Sequence, residues 1–319
     1  MSTLPEKPAR VPLAESIDWR SKEITELLER ALAEDLGAGL PAKASAKAGD
    51  LTTAAVLPKP ITGLGRIRAN QVVVVAGLPL VERLFELFDP KIDFRPRVEE
   101  GTEVNRGLLA EVRGDARALL RGERTALNFL GRLSGIATFT RRFVTRLQGT
   151  QARLRDTRKT TPGLRQLERY AVRVGGGTNH RFGLYDAVLI KENHAQLVGG
   201  VGEAVRRVRQ KYGRGQLIQA EVRDETELRE ALDAGADGLL LDNMSIEQVR
   251  RAVHAVRGRA LQGEPSGQAW LEASGGINLE TVRAYAECGV DYISVGALTH
   301  SAPAADISFD LVPVGPLGA

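Results

Sequence analysis

Between Asp156 and Lys191 the chain carries Arg158, Lys159, Arg165, Arg169, Arg173, Arg181 and Lys191 against only Asp156, Glu168 and Asp186. An excess of that kind suits a ligand with several negative charges, each best held by a guanidinium or ammonium group. Position sharpens the point. Asp156-Thr-Arg-Lys159 follows the run Ala152–Arg155, and Lys191 follows the apolar run Ala187–Ile190. In a parallel sheet, the residues that end strands line the ligand-facing edge. Arg158, Lys159 and Lys191 are therefore expected in a polyanion pocket. Arg165, Arg169 and Arg173 recur every four residues around Tyr170 and are expected to be ordinary surface arginines of a helix.

Further along, Ser274-Gly-Gly-Ile277 and Val295-Gly-Ala-Leu-Thr-His300 open loops after two successive β-runs. Glycine there lets backbone N–H groups approach a phosphate that a Cβ would hold away, and barrels often bind phosphate after their last strands. Ser274, Gly275, Gly276 and Gly296 are the candidates, with His300 either an added donor or a side chain satisfied locally. Glu221 and Asp242 end consecutive strands and would face the cations. They can neutralise that wall, hold sugar hydroxyls or Mg²⁺, or stabilise a carbocation-like ribose. Lys191 allows a rival chemistry, because a strand-end lysine can form a Schiff base as in an aldolase. Such an enzyme has no evident need for Arg124, Arg158, Lys159, His180 and Arg181 together.

These side chains need a scaffold. Ile24, Leu27, Leu28, Ala31, Leu32 and Leu36 recur at helical spacing, and Gly37 stands where a helix would end. The small-residue stretch Gly37–Gly49 reads as an inserted surface loop. Short β-rich runs follow at Arg66–Ala69 and Val72–Ala76, then a helix near Leu78–Phe88, strands around Ile92–Val98 and Leu108–Val112, and a long helix from Arg124 to Leu147. The Gly-punctuated Val98–Val112 is similar to a turn of biotinyl and lipoyl carriers but has no lysine at a hairpin tip, so it is expected to be structural. From Ala152 strands and helices alternate. The strands are expected at Ala152–Asp156, Ala187–Lys191, Leu217–Val222, Gly238–Asp242, Ala269–Ala273 and Asp291–Val295, with helices such as Val201–Lys211, Thr226–Ala234, Ile246–Val256 and Leu279–Cys288 between them. That alternation implies parallel pairing and favours a barrel over a doubly wound sheet. Polar residues end every strand but the last: Asp156, Lys191, Glu221, Asp242, then Glu272 with Ser274; the last delivers Gly296.

Composition agrees with this picture. A chain of 319 residues with 43% hydrophobic content can build one large α/β domain and a smaller one. A net charge of +4 with only 5% aromatic residues favours small anionic ligands over nucleic acid. Cys288 is the single cysteine, expected to pack on a helix, and excludes an internal disulfide. No apolar run reaches the ~18 residues of a membrane helix, and the proline-containing N-terminal arm lacks a signal-peptide core, so no membrane partner and a cytoplasmic location are expected.

Taken together, Arg124-Thr-Ala-Leu-Asn128, Leu133-Ser-Gly-Ile-Ala137, Asp156-Thr-Arg-Lys-Thr160, Gly175-Gly-Gly-Thr-Asn-His-Arg181, Leu189-Ile-Lys-Glu-Asn-His194, Leu240-Leu-Asp-Asn243, Glu272-Ala-Ser-Gly-Gly-Ile277 and Val295-Gly-Ala-Leu-Thr-His300 closely resemble the quinolinate phosphoribosyltransferases. The resemblance spans roughly residues 30 to 312. It implies an α/β protein with an N-terminal α/β sandwich, residues 1–126 with 301–319 returning to it, and an open, TIM-like α/β barrel over residues 127–300. It implies transfer of phosphoribosyl from phosphoribosyl pyrophosphate to quinolinate with decarboxylation, giving nicotinate mononucleotide in NAD biosynthesis. By the same resemblance Arg124, Arg158, His180, Arg181 and Lys191 hold the diacid, with Arg124 contributed across a homodimer. Lys159, Glu221 and Asp242 are the catalytic residues, lying against phosphoribosyl pyrophosphate and a Mg²⁺ held by Glu221 and Asp242, partly through substrate and water. Ser274, Gly275, Gly276, Gly296 and His300 take the 5-phosphate. Two departures stand out: the insertion splits a family motif between Gly37 and Gly49, and Gln219-Ala-Glu-Val222 stands where many members have Glu-Val-Glu-Val. A paralogue found with molybdenum-uptake genes shares the fold and would use another carboxylated acceptor.

Overall fold

Helical spacing puts Ile24, Leu28, Leu32 and Leu36 on one buried stripe of α1 (Lys22–Leu36), and the Ser21 hydroxyl caps it by accepting from the Ile24 N–H. The computed structural model describes residues 17–37, 49–262 and 268–314. The N-terminal arm and nearly all of the insertion, residues 38–48, lie outside them. The chain divides into two compact units, one running to Ser134 and resuming at Ala305, the other formed by Gly135–Ala304. That division differs from the expected 126/127 and 300/301 because the long helix runs through it.

The first unit continues through α2 (Leu51–Val56), β1 (Thr62–Val74), α3 (Leu78–Phe88), β2 (Asp93–Pro96), β3 (Glu103–Asp115) and the start of α4 (Ala116–Arg146), and is completed by β10 (Ile307–Pro313). Its sheet is antiparallel, in the order β10-β1-β3-β2. The two β-runs expected at 66–69 and 72–76 are one strand. Register shifts between Ile67 and Arg68 and between Ala69 and Val72 bend β1 without ending it. Gly65 is required because the Phe309 ring would lie 2.2 Å from a Cβ there. The long helix begins at Ala116, earlier than expected, since the Asp115 carboxylate accepts the Arg117 N–H at 3.0 Å and starts it where β3 stops.

In the second unit strands and helices alternate: β4 (Arg153–Arg155), α5 (Arg165–Val174), β5 (Val188–Ile190), α6 (Glu192–Val198), α7 (Val201–Tyr212), β6 (Ile218–Val222), α8 (Glu225–Asp233), β7 (Gly238–Asp242), α9 (Ile246–Leu261), β8 (Trp270–Ser274), α10 (Val282–Glu287), β9 (Tyr292–Ser294) and α11 (Ala297–His300). All six strands are parallel, in the order β4-β9-β8-β7-β6-β5. Leu239, Leu241, Leu271 and Ala273 are fully buried, as strands covered on both faces must be. Gly238 pairs with Trp270, whose indole leaves no room for a Cβ. Cys288 packs just past α10, its thiol bonded to the Ala284 carbonyl.

The barrel is open between its first two strands, because β4 and β5 form the two edges of the sheet. The glycine-rich segment before His180 serves the β4 edge. Thr178 makes a parallel bridge to Arg155, its N–H donating to the Leu154 carbonyl at 2.8 Å while its own carbonyl accepts from the Asp156 N–H at 3.1 Å. Gly175 must be glycine here, since a Cβ would sit 2.5 Å from the Ala137 carbonyl oxygen.

Candidate active site

Arg158 and Arg181 share one electrostatic neighbourhood near the carboxyl ends of the strands. Burial, and then the neighbouring Arg158, lower the Arg181 pKa. The Nε atoms of both arginines are buried without a hydrogen-bond partner, and neither has a carboxylate within ion-pair distance among the described residues. Arg181 is aimed by one bond, Nη1 to the Ala187 carbonyl at 3.0 Å. Asp186 and Glu221 oppose the fall in its pKa, and two cations without an ion pair among the described residues favour a bound anion.

Next to them lie the acids. Glu221, ending β6, pairs with Lys191 Nζ at 3.4 Å and accepts the Glu192 N–H at 3.1 Å. Burial, and then the Glu221 carboxylate, raise the pKa of Asp242, which ends the adjacent β7. The Asn243 amide donates to Asp242 at 2.8 Å. Lys191, Glu221, Asp242, Arg158 and Arg181 are thus one electrostatic neighbourhood, cationic on one side and anionic on the other.

Lys159 belongs with the glycine loops. A Cβ on Gly296 would meet Lys159 Cδ at 3.0 Å and the His300 ring at 3.2 Å, so the three positions adjoin. Thr299 ties them by donating its hydroxyl to the Lys159 carbonyl at 2.8 Å. Gly275 and Gly276 have φ of 95° and 63°, and a Cβ on Gly275 would strike Asn243 at 2.2 Å. Ser274 ends β8 in register with Asp242 and Ser294. His300 bonds Ser301 through Nδ1 at 2.6 Å and is exposed. Arg124 is exposed on α4 and belongs to the other unit.

The arginines of α5 are not a surface row, contrary to their expected role. Arg165 donates to the Phe182 carbonyl at 3.1 Å, Arg169 to the carbonyls of His180 and Arg181 at 2.7 and 3.2 Å, and Arg173 to the Asn179 side chain at 2.6 Å. They clasp the backbone that carries His180 and Arg181. From below, Asp156 holds the same loop by accepting the His180 N–H at 2.7 Å and the Asn179 amide at 2.5 Å. Burial pushes the Asp156 carboxyl up to about 6, with Arg169 opposing. Spacing could not separate the two roles, because the partners are main-chain carbonyls.

A second buried group was hidden in the strands. Glu272, wholly buried on β8, accepts from Arg155 at 2.8 Å and from Gln219 at 3.0 Å, both on Oε2. Arg155 also lies 3.3 Å from the centre of the Tyr292 ring. Burial acts to raise the Glu272 carboxyl, yet its neighbours His180, Arg155 and Gln219 hold it below the usual range. The charged Glu272 inside the otherwise apolar run Ala269-Trp-Leu-Glu-Ala273 was the available signal. A separate hollow of about 470 Å³, lined by Glu225, Arg250, Arg251, His254 and Ala255, involves none of these residues.

Comparison with known proteins places its first boundary at nearly the same point of the chain. Residues 136–310 match the C-terminal domain of quinolinate phosphoribosyl transferase and residues 50–134 its N-terminal domain. The probable nicotinate-nucleotide pyrophosphorylase [carboxylating] of Bacillus subtilis (strain 168) is 40% identical over 290 residues, covering 91% of this chain and 93% of that one. The nicotinate-nucleotide pyrophosphorylase [carboxylating] of Mycobacterium leprae (strain TN) is 42% identical over 293 residues, 89% of this chain and 95% of its own. The solved structure of the nicotinate-nucleotide pyrophosphorylase from Francisella tularensis superposes with a TM-score of 0.81 at 34% identity, covering 91% of this chain and 96% of that one.

Proposed function

The chain belongs to the quinolinate phosphoribosyltransferase family, and from that premise we propose how its residues carry the family's reaction. The enzyme transfers phosphoribosyl from phosphoribosyl pyrophosphate to quinolinate with loss of CO₂, giving nicotinate mononucleotide and pyrophosphate for NAD biosynthesis. The observation that carries the residue assignment is that Arg158 and Arg181 have buried Nε atoms without a partner and no ion pair among the described residues, with Lys191 tied to the same neighbourhood through Glu221. Two adjacent carboxylates on one ring are the counter-charge such a wall lacks.

In this reading Arg158, Arg181 and Lys191, with His180, orient the diacid so that its ring nitrogen faces the anomeric carbon. Orientation of this kind can lower the barrier by several kcal/mol. The N–C1 bond forms as the C1–O bond to pyrophosphate breaks, and Glu221 and Asp242 stabilise the positive charge that builds on the ribose. The 5-phosphate is held at Ser274, Gly275, Gly276, Gly296 and His300. Once the ring nitrogen is quaternary, the carboxylate beside it leaves as CO₂ and its electron pair stays on the ring carbon. Lys159 gives that carbon its proton. A Lys159→Ala enzyme that binds both substrates and turns over near the wild-type rate would remove this role.

Glu221 and Asp242 also suit Mg²⁺. No cluster of three or more His, Cys, Asp or Glu side chains poised for a metal exists among the described residues. A Mg²⁺ carried on substrate phosphates needs only one or two protein carboxylates, and these two strand-end acids provide them. A Mg²⁺ held there would supply positive charge against the leaving pyrophosphate. Gln219 does not enter this pair, since its amide is spent on Glu272.

We further propose a homodimer in which Arg124 of each copy completes the partner's site. Leu184, Tyr185 and Leu197 are largely exposed, and α6 buries none of its side chains. Apolar surface of that sort is commonly covered by another subunit. The proposed compartment is the cytoplasm, in keeping with a single unpaired cysteine. The decisive experiment incubates the purified protein with quinolinate, phosphoribosyl pyrophosphate and Mg²⁺ and looks for nicotinate mononucleotide. Nicotinate in place of quinolinate should yield none, and the absence of product with quinolinate would overturn the assignment.

A further inference from the structure

Both ring nitrogens of His180 face protein atoms. Its Nδ1 accepts the Arg181 N–H at 2.7 Å, so in the neutral ring the proton must sit on Nε2. Nε2 faces Glu272 Oε1 at 3.6 Å, and both atoms are buried with no hydrogen-bond partner. The other Glu272 oxygen is taken by two donors, Arg155 Nη1 and the Gln219 amide. This carboxylate is therefore locked with one bare oxygen against His180.

We infer that Glu272, clamped by Arg155 and Gln219, is a positioning residue that fixes His180 in its Nε2–H tautomer and thereby aims Arg181 at the substrate diacid. The inference rests on the assignment of Arg181 to quinolinate. The Nε2–H tautomer leaves the Nδ1 lone pair free for the Arg181 N–H, which sets the backbone from which that guanidinium projects. Burial lowers the His180 pKa, with Glu272 and the Gln219 amide opposing and Arg155 and Arg181 adding to the fall. A ligand carboxylate is then gripped by Arg158, Arg181 and Lys191, with His180 acting through its neighbour.

Replacing Glu272 by glutamine tests this with little change of shape. Arg155 and the Gln219 amide are both donors, so the new amide oxygen must take the place of Oε2 and the NH₂ group must face His180 Nε2. Two donors cannot oppose each other. The imidazole is expected to move its proton to Nδ1, break with the Arg181 N–H and leave that arginine badly aimed.

The chain has four histidines, so a long-range ¹H–¹⁵N correlation spectrum of the imidazoles, assigned with His180→Gln, reads the tautomer directly. Wild-type His180 should be neutral with the proton on Nε2. Glu272→Gln should show it on Nδ1, with the KM for quinolinate raised about tenfold. A proton on Nδ1 in the wild-type spectrum overturns the inference, whether or not any variant folds. So does a Glu272→Gln enzyme that loses thermal stability but keeps the Nε2–H signature and the wild-type KM. Nicotinate mononucleotide formation by the wild type is measured first. Its absence would sink the assigned reaction and leave the tautomer to be decided by the spectrum alone.

Discussion

Two sets of cations occupy the second unit, and they differ in what answers their charge. Arg158 and Arg181, near the strand ends, have buried Nε atoms without a hydrogen-bond partner and no ion pair among the described residues, and Arg158 acts to lower the Arg181 pKa. Arg155 and Arg169, one layer deeper, are matched: Arg155 by Glu272 and the Tyr292 ring, Arg169 by Asp156 and two carbonyls. A cation that meets its own anion inside the fold is structural. One that is desolvated without an anion is held ready for a ligand, because only the bound state repays its desolvation.

The contrast makes opposite demands on the two sets. Arg181→Ala should lower kcat/KM for quinolinate by about 10²–10³-fold, the scale of removing one partner from a desolvated, charge-assisted pair. Thermal stability should hold or rise, since a repulsion is relieved. If Arg181→Ala instead melts well below wild type and keeps its activity, the division between the sets fails.

Mixed dimers probe how far the ligand-facing set extends. Arg124→Ala and Lys191→Ala should each be inactive alone. In a twofold dimer with shared sites, random mixing rebuilds one intact site in half of the dimers, so roughly a quarter of wild-type activity should return. No recovery, with mixed dimers verified by mass spectrometry, would assign Arg124 to a role within its own copy.

Much of this was readable beforehand, and the gaps have causes. Apolar runs ended by Lys191, Glu221 and Asp242 placed β5, β6 and β7 to within a residue, because a strand buried on both faces leaves an uninterrupted signal. The bulges of β1 were invisible, since Asn70 and Gln71 look like a break in a strand although the ladder resumes beyond them. The role of Thr178 was missed because Gly175-Gly-Gly177 reads as a turn, while its backbone in fact lets the chain pair with β4 at the barrel's opening. At the site, charge was legible and partnership was not. Arg155 and Arg158 differ only by what lies across the sheet, which no local pattern reports.

Arg155→Met should act on the deeper set. It leaves the Glu272 carboxylate buried without its cation, a loss of about 3–5 kcal/mol. At 2–4 °C per kcal/mol for a unit of this size, the melting temperature should fall by roughly 10 °C. Arg155→Met/Glu272→Gln, with neither charge left inside, should regain most of that stability. A double variant no more stable than the single one would show that Arg155 contributes by packing on Tyr292.

The smallest effect expected is one of pH, and it joins the two sets. Asp156 accepts the His180 N–H and the Asn179 amide and pairs with Arg169, so its ionised form holds the loop that presents Arg181. Burial raises its pKa to about 6. Because the native value lies above the ordinary one, ionisation costs folding free energy. This carboxyl favours the native state most below the ordinary carboxylate range, and that contribution fades as pH rises through about 6. Activity has the opposite sign, since protonation removes an acceptor that the loop requires. As pH drops through about 6, kcat/KM should therefore decline along a one-proton limb while the melting temperature does not fall with it. Initial rates and thermal melts from pH 5 to 7.5 measure both. A melting temperature that drops in step with activity over that range would mean that the acid limb reports unfolding and that Asp156 does not link the deeper set to the ligand-facing one.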